Sequence, residues 1–130
     1  MISMDTKTFA TAINCMDGRV QIPVIEFLRK KYGVDFVDVV TEAGPVAIIA
    51  EHRDMATIES IKKRVDVSKM RHGSKHLALV AHHDCTANPV RPEQQIAQLR
   101  AALEQMKWWG YWDVKIGLWV DESWQVHEVK

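Results

Sequence analysis

The residues of this chain best suited to chemistry are two cysteines and a histidine. Cys15 lies in the segment 14–19, which reads Asn-Cys-Met-Asp-Gly-Arg, and Cys85 ends the segment 82–85, which reads His-His-Asp-Cys. Two soft sulfurs and one imidazole nitrogen suit Zn²⁺, which binds cysteine and histidine at about 2.0–2.3 Å. His82 and Cys85 are close enough in sequence for both to reach one ion from a single turn. The pattern predicts a zinc site formed by Cys15, His82 and Cys85.

The number of ligands favours a catalytic zinc site over a structural one. A closed structural site normally has four protein ligands, whereas a catalytic site keeps one position for water or substrate. The predicted set has three members, so the fourth ligand is water or a nearby carboxylate. His83 and Asp84 are alternative ligands, because spacing alone does not separate them from the predicted set.

Alternating apolar runs and helical patterns predict the elements that position these residues. Nearly continuous apolar runs, typical of parallel strands covered on both faces, occur at 9–13, 36–40, 77–81 and 114–120. Helical patterns begin near Pro23, Pro45, Asp54 and Pro92, and a last strand is predicted over 124–129. This order predicts an α/β fold: residues 1–130 form a single domain with a mostly parallel central sheet of four or five strands flanked by helices.

The predicted sheet brings the reactive residues to one edge. Cys15 follows the first strand, and His82 and Cys85 follow the third. Chemistry in such sheets gathers beyond the carboxyl ends of the strands. Adjacent parallel strands would therefore place both thiols, the imidazole, the carboxylate of Asp17 and the guanidinium of Arg19 at one crevice.

Composition and charge exclude several classes of protein. The chain has 130 residues, of which 47% are hydrophobic and 26% charged, so it can bury a core and is not disordered. Its 17 basic and 17 acidic residues cancel, which argues against nucleic acid or an anionic membrane as a partner. No apolar run reaches the roughly 20 residues of a membrane-spanning helix, and the first residues do not resemble a signal peptide. We therefore expect a cytoplasmic protein with reduced cysteines.

Tryptophan is concentrated in the last 23 residues, which hold all five: Trp108, Trp109, Trp112, Trp119 and Trp124. Core packing at the end of the last helix and along the last strands explains part of this clustering. A subunit interface explains the rest, because tryptophan is enriched at interfaces. We expect both roles.

The two cysteine motifs together resemble the zinc-site signature of the β-class carbonic anhydrases. The segment 15–23 has the pattern C-x-D-x-R followed by Val and Pro, and the segment 82–85 has the pattern H-x-x-C. Glu-Ala-Gly at 42–44 lies where the family usually has Arg-x-Ala-Gly, with Thr41 in place of the arginine. Residues 86–87, Thr-Ala, replace the glycines that often follow the second cysteine. The chain resembles a short, divergent member.

That resemblance implies an activity and a role for each motif residue. Cys15, His82 and Cys85 would hold one Zn²⁺ per subunit. Asp17 and Arg19 match the Asp–Arg dyad of the family, in which the carboxylate orients a zinc-bound hydroxide toward CO₂ or closes the site by ligating zinc itself. Gly44 would let the backbone approach the dyad and would line the substrate pocket. The implied protein is a carbonic anhydrase, a zinc lyase that hydrates CO₂ to bicarbonate as a homodimer or higher homo-oligomer.

Three other readings stay open at this point. The first is a zinc hydrolase of a related small substrate, such as carbon disulfide or carbonyl sulfide, which the same scaffold supports. The second is a catalytically silent zinc-binding relative, although metal binding alone does not require Asp17 and Arg19. The third is a metal-free enzyme with Cys15 as its nucleophile, which does not explain the position of Cys85 three residues after His82.

Overall fold

The computed structural model describes residues 7–110 and 114–130, in which strands and helices alternate. The elements in chain order are β1 Phe9–Cys15, α1 Gln21–Tyr32, β2 Phe36–Glu42, α2 Pro45–Glu51, α3 Met55–His72, β3 His76–His82, α4 Pro92–Met106, β4 Val114–Val120 and β5 Val126–Val129. Short 3₁₀ turns lie before α1 and after α4, at Gly18–Val20 and Lys107–Trp109.

The five strands form one sheet in the order β2-β1-β3-β4-β5. The pairs of β1 with β2, of β1 with β3 and of β3 with β4 are parallel, and β5 runs antiparallel to β4. This confirms the predicted α/β fold with a mostly parallel sheet. The chain passes from β1 to β2 on one side and then returns to β3 on the other. Strand order therefore reverses between β1 and β3, which opens a crevice at their carboxyl ends.

The helices begin and end close to the residues expected from the sequence, with one difference. Asp54 caps α3 as expected, because its side chain accepts a hydrogen bond from the backbone amide of Thr57 at 3.1 Å. Gly33 ends α1 with a left-handed φ of +64°. Pro23 was expected at the first position of its helix, but α1 begins at Gln21. Proline is tolerated there because the first-turn amides have no acceptor within the helix.

The core consists of two apolar clusters on opposite faces of the sheet, since successive strand residues point to opposite sides. One cluster lies under α2, α3 and α4 and includes Ile49, Ile61 and Leu99. The other lies under α1, where Val24 and Leu28 pack with both cysteines. The sheet is thus covered on both faces, as its apolar strands require.

The tryptophans divide between core and surface. Trp109 and Trp119 pack against the first cluster and Trp124 against the second, which confirms the expected core role for these three. Trp108 is 86% exposed, and Trp112 lies outside the described residues. The subunit interface stays a prediction. Within the described ranges, no helix is long and apolar enough to cross a bilayer.

Candidate metal centre

The ends of β1 and β3 place the three predicted ligands. Cys15 is the last residue of β1 and His82 the last residue of β3, so both strands run slightly beyond their predicted ends. The strands are direct parallel neighbours, with Thr11 opposite Leu77. Cys85 follows β3 in a turn and reaches the same edge. The neighbouring strands therefore bring together residues that lie far apart in sequence.

The three side chains form a compact, buried group. The sulfurs of Cys15 and Cys85 are 3.9 Å apart. Together with a ring nitrogen of His82, the candidate ligand atoms all lie within 4.8 Å of one another, and all three residues are buried. Two sulfurs at about 2.3 Å from one tetrahedral zinc lie about 3.8 Å apart. Within the described ranges this is the one such group of three or more His, Cys, Asp or Glu residues.

The ring of His82 is oriented as a metal ligand requires. Its Nδ1–H donates to the backbone carbonyl of His83 at 2.7 Å, which leaves the lone pair on Nε2. Nε2 is buried and has no hydrogen-bond partner among the residues described. The side chain of Gln95 donates to the carbonyl of His82 at 2.9 Å and holds the strand end from α4. A buried nitrogen that lacks a partner needs one, and a cation at the two sulfurs would supply it.

The pKa values of the two thiols are shifted in opposite directions. Burial raises the pKa of Cys15, but His82 and the backbone amides of Gly44 and Asp17 outweigh burial, so the pKa lies below its usual value. Burial and the neighbouring Cys15 both hold the pKa of Cys85 above its usual value. Two thiolates this close repel each other, and a cation between them would remove that repulsion. This donor set fits zinc, because metal binding removes the thiol proton.

Asp17 and Arg19 form a bidentate pair beside this group. Arg19 Nε donates to Oδ1 of Asp17 at 3.0 Å and Nη2 donates to Oδ2 at 2.7 Å. The Arg19 guanidinium is the main cause that lowers the pKa of Asp17 to about 2. Gln21 donates to the backbone carbonyls of Cys15 and Asp17, which fixes the turn between them. The carboxylate of Asp17 is therefore ionised and turned toward Arg19, and it is not a member of the three-ligand group.

The two alternative ligands occupy other positions. His83 contributes its backbone carbonyl to His82, and its ring lies edge-on to Trp124 with centroids 6.2 Å apart. Asp84 lies against Arg19, with its Oδ2 3.3 Å from Nη1. The structure thus groups Cys15, His82 and Cys85 without either residue.

Gly44 makes a close approach, to the loop after Cys85. Its φ is +64°, and a Cβ atom there would lie 3.3 Å from the Cβ atoms of Ala87 and Asn88. Its backbone amide also faces the thiol of Cys15. A residue with a side chain would be strained here and would push the loop outward.

Two neighbours of the site were not anticipated from sequence. Arg64, on α3, donates to the carbonyl of Thr41 at 3.4 Å and pairs with Glu42, so it brings a guanidinium to the end of β2. Trp124 covers the guanidinium of Arg19, with the ring centroid 4.6 Å from Cζ. Neither contact has a signal in the sequence, because each joins elements that are distant along the chain.

A cavity of about 470 Å³ opens beside Cys85 and is lined by Gln95 and Trp119 among others.

Comparison with known families identifies the family of the chain. The family model described as "Putative carbonic anhydrase" matches residues 5–130. The chain belongs to this carbonic anhydrase family, as a divergent member of the β class. No functionally curated protein matches it significantly.

Solved structures show the same fold at low sequence identity. Carbonic anhydrase from Streptococcus mutans is 14% identical with a TM-score of 0.65, covering 99% of this chain and 90% of that chain. The β-carbonic anhydrase isoform I of Trichomonas vaginalis is 15% identical with a TM-score of 0.58, covering 95% and 84%. The apo form of carbon disulfide hydrolase is 13% identical with a TM-score of 0.52, covering 93% and 77%. The fold is therefore shared by enzymes that are named for different substrates.

Proposed function

We propose that this protein is a zinc enzyme that reversibly hydrates carbon dioxide to bicarbonate. One Zn²⁺ per subunit would be held by Cys15, His82 and Cys85. The observation that carries the proposal is the position of the Asp17–Arg19 pair beside a three-ligand group with an unpartnered buried nitrogen. Membership of the carbonic anhydrase family supports the same reaction class.

The reaction adds water to a small, linear, uncharged molecule. Zinc, when bound, lowers the pKa of a coordinated water to about 7 and so makes a nucleophile available at neutral pH. The water oxygen forms a bond to the carbon of CO₂, one C=O π pair becomes a C–O⁻ lone pair, and one proton leaves to solvent. Asp17 accepts a hydrogen bond from the attacking water and directs a lone pair toward the carbon. Arg19 keeps that carboxylate ionised and fixed in direction.

The space directly beside the ligands is tight. Gly44 and Val46 line it together with Cys15 and His82, and it has no room for a water molecule. It therefore suits an ion held by these side chains, and a substrate would approach from outside it. In this proposal, Gly44 borders the substrate pocket, because its backbone amide faces the thiol of Cys15.

A second candidate function is hydrolysis of carbon disulfide or carbonyl sulfide. The likeness in fold to carbon disulfide hydrolase is the observation that favours it. These substrates are linear and uncharged like CO₂, so the same ligand group and the same Asp17 would act on them. A catalytically silent relative is a weaker reading, because metal binding alone does not require the pairing of Asp17 with Arg19.

We also propose that the protein forms a homodimer or higher homo-oligomer and that it is cytoplasmic.

The test combines metal content and turnover on one sample. Protein purified without chelator is analysed for metal per subunit and assayed by stopped-flow CO₂ hydration, then with carbon disulfide and carbonyl sulfide. One zinc per subunit with CO₂ turnover supports the proposal. One zinc with turnover of the sulfur compounds alone selects the second candidate. Absence of metal after reconstitution with zinc would overturn both.

A further inference from the structure

We propose that Trp124 and Asp84 form a clamp that holds Arg19 in its pairing with Asp17, and that both are positioning residues for the reaction. The inference rests on the proposed function in so far as it assigns the clamp a catalytic consequence. The clamp itself is a property of the chain and can be tested separately.

The guanidinium of Arg19 is held on its edges and on one face. Asp17 accepts from Nε and Nη2. On the remaining edge, the Oδ2 of Asp84 accepts from Nη1 at 3.3 Å and the backbone carbonyl of Asp84 accepts from Nη2 at 3.1 Å. The indole of Trp124 lies over the face, 4.6 Å from Cζ, which is within the range of a cation–π contact.

Such a clamp is needed because Arg19 is not held by burial. Its side chain is 44% exposed, and an arginine at the surface samples many rotamers. If Arg19 moved away, the carboxylate of Asp17 would lose both its counter-charge and its fixed direction. Contacts from outside the Asp17–Arg19 loop therefore decide how long the pair stays together.

Backbone conformation points to the same two residues. Asp84 and Trp124 have left-handed φ values of +58° and +61°. Aspartate adopts this region more readily than most residues, whereas it is an outlier for a side chain as bulky as tryptophan. Among the described residues, the one other non-glycine residue with positive φ is His52, at the end of α2. Left-handed backbone away from helix ends persists only where the surroundings hold it, and it concentrates at functional sites. Both such residues contact Arg19.

The turn between β4 and β5 carries Trp124 to this position. The backbone amide of Trp124 donates to the carbonyl of Asp121 at 2.9 Å. The Oδ1 of Asp121 accepts from the amides of Ser123 and Gln125, each at 2.9 Å. The hairpin at the far end of the chain thus supplies one wall of the site built by β1 and β3.

The experiment compares tryptophan variants of the full chain as purified. Trp124→Leu keeps apolar bulk and removes the aromatic face, whereas Trp124→Phe keeps an aromatic face. Trp108→Leu is the matched control, because Trp108 is 86% exposed. Exchange of the Arg19 Nε–H with water is measured by NMR, with the signal assigned from its loss in Arg19→Lys. This readout requires neither metal nor turnover.

The clamp predicts faster exchange in Trp124→Leu by about two- to fivefold, the size of an exposed cation–π contact. Trp124→Phe should restore most of the protection, and Trp108→Leu should not change it. Asp84→Gly, which removes the side-chain acceptor and adopts left-handed backbone without strain, should also speed exchange. Unchanged exchange in Trp124→Leu would overturn the clamp. If Trp124→Leu does not fold, exchange in Asp84→Gly decides in the same way.

Kinetics then test the catalytic consequence. In zinc-loaded protein we expect kcat for CO₂ hydration to fall in Trp124→Leu with little change in KM, and to recover in Trp124→Phe. Unchanged kcat despite faster exchange would overturn the positioning role. A wild-type protein without turnover would contradict the proposed function and leave the exchange measurement as the test of the clamp, so the two failures are distinguishable.

Discussion

The sulfur of Cys15 lies 3.9 Å from the sulfur of Cys85, although the two residues are 70 positions apart. The approach follows from strand order, because β1 and β3 are neighbours and their carboxyl ends share one edge. The sequence around either cysteine does not by itself bring the two sulfurs together. The geometry of the candidate metal centre therefore depends on the pairing of β1 with β3.

Removal of a ligand should remove the metal. In Cys15→Ser and in His82→Ala we expect loss of stoichiometric zinc and a lower Tm, because metal binding is coupled to folding. Metal analysis and thermal unfolding measure the two effects. His83→Ala is the control, since its ring is outside the ligand group, and it should keep one zinc per subunit. Stoichiometric zinc in the Cys15→Ser/His82→Ala double variant would rule out this ligand assignment.

Neutralising Asp17 should separate catalysis from metal binding. Asp17→Asn keeps the shape of the side chain but loses the charge that pairs with Arg19. We expect full zinc content and a fall in CO₂ hydration of about 10²-fold or more, the range for loss of one preorganised hydrogen bond to the reacting atoms. Glu51→Gln, at the exposed end of α2, provides a charge-matched control. Turnover equal to wild type in Asp17→Asn would remove the carboxylate from the mechanism.

Two glycines with the same backbone conformation allow the close approach at the site to be measured. Gly44 and Gly33 both have φ of +64°, but a Cβ at Gly44 would meet Ala87 and Asn88 at 3.3 Å, whereas nothing lies within 4 Å at Gly33. Alanine at either position should cost about 1–2 kcal/mol for left-handed backbone.

The difference between these alanine variants isolates the crowding. Gly44→Ala should lose more stability in urea unfolding than Gly33→Ala, and it should weaken zinc retention because the loop after Cys85 must shift. Equal losses of stability and unchanged metal content would show that the loop accommodates the methyl group freely.

Acid should remove the stabilising effect of Asp121. Hydrogen bonds from His127 and from the amides of Gln125 and Ser123 hold the pKa of Asp121 below its usual value. A carboxyl group with a lowered folded pKa stabilises the fold above its unfolded pKa, about 3.9, and this effect is lost as pH falls through the folded pKa. Asp121→Asn should therefore lower Tm at pH 7, and the difference from wild type should shrink below about pH 4. A Tm difference that is constant with pH would contradict a stabilising role for the ionised carboxylate of Asp121.

The alternation of elements and the candidate ligands could be predicted because local signals specify them. Gly33 and Asp54 mark helix ends by their own conformational and hydrogen-bonding properties, and apolar runs mark strands that are covered on both sides. Placement of Cys15 and His82 required one further step, the adjacency of the strands that carry them. That step is well constrained, because parallel strands joined by helices have few topologies.

Contacts that depend on the path of a turn could not be predicted in this way. The position of Trp124 over Arg19 depends on an antiparallel fifth strand and on left-handed backbone at a tryptophan, which no propensity favours. The basic run Lys-Lys-Arg at 62–64 is typical of a solvated helix face, whereas Arg64 pairs with Glu42 at the end of β2. Composition indicated core packing for the tryptophans but could not select the one that reaches the site.

Both cysteines belong to the apolar layer between the sheet and α1. Cys15 and Cys85 are each 4% exposed, so their sulfurs are packing atoms as well as candidate ligands. A serine hydroxyl in this layer would be smaller and more polar than the thiol, and it would loosen the packing even when no ion is bound. Interior packing and metal affinity therefore depend on the same two sulfur atoms, and a substitution of either cysteine alters both.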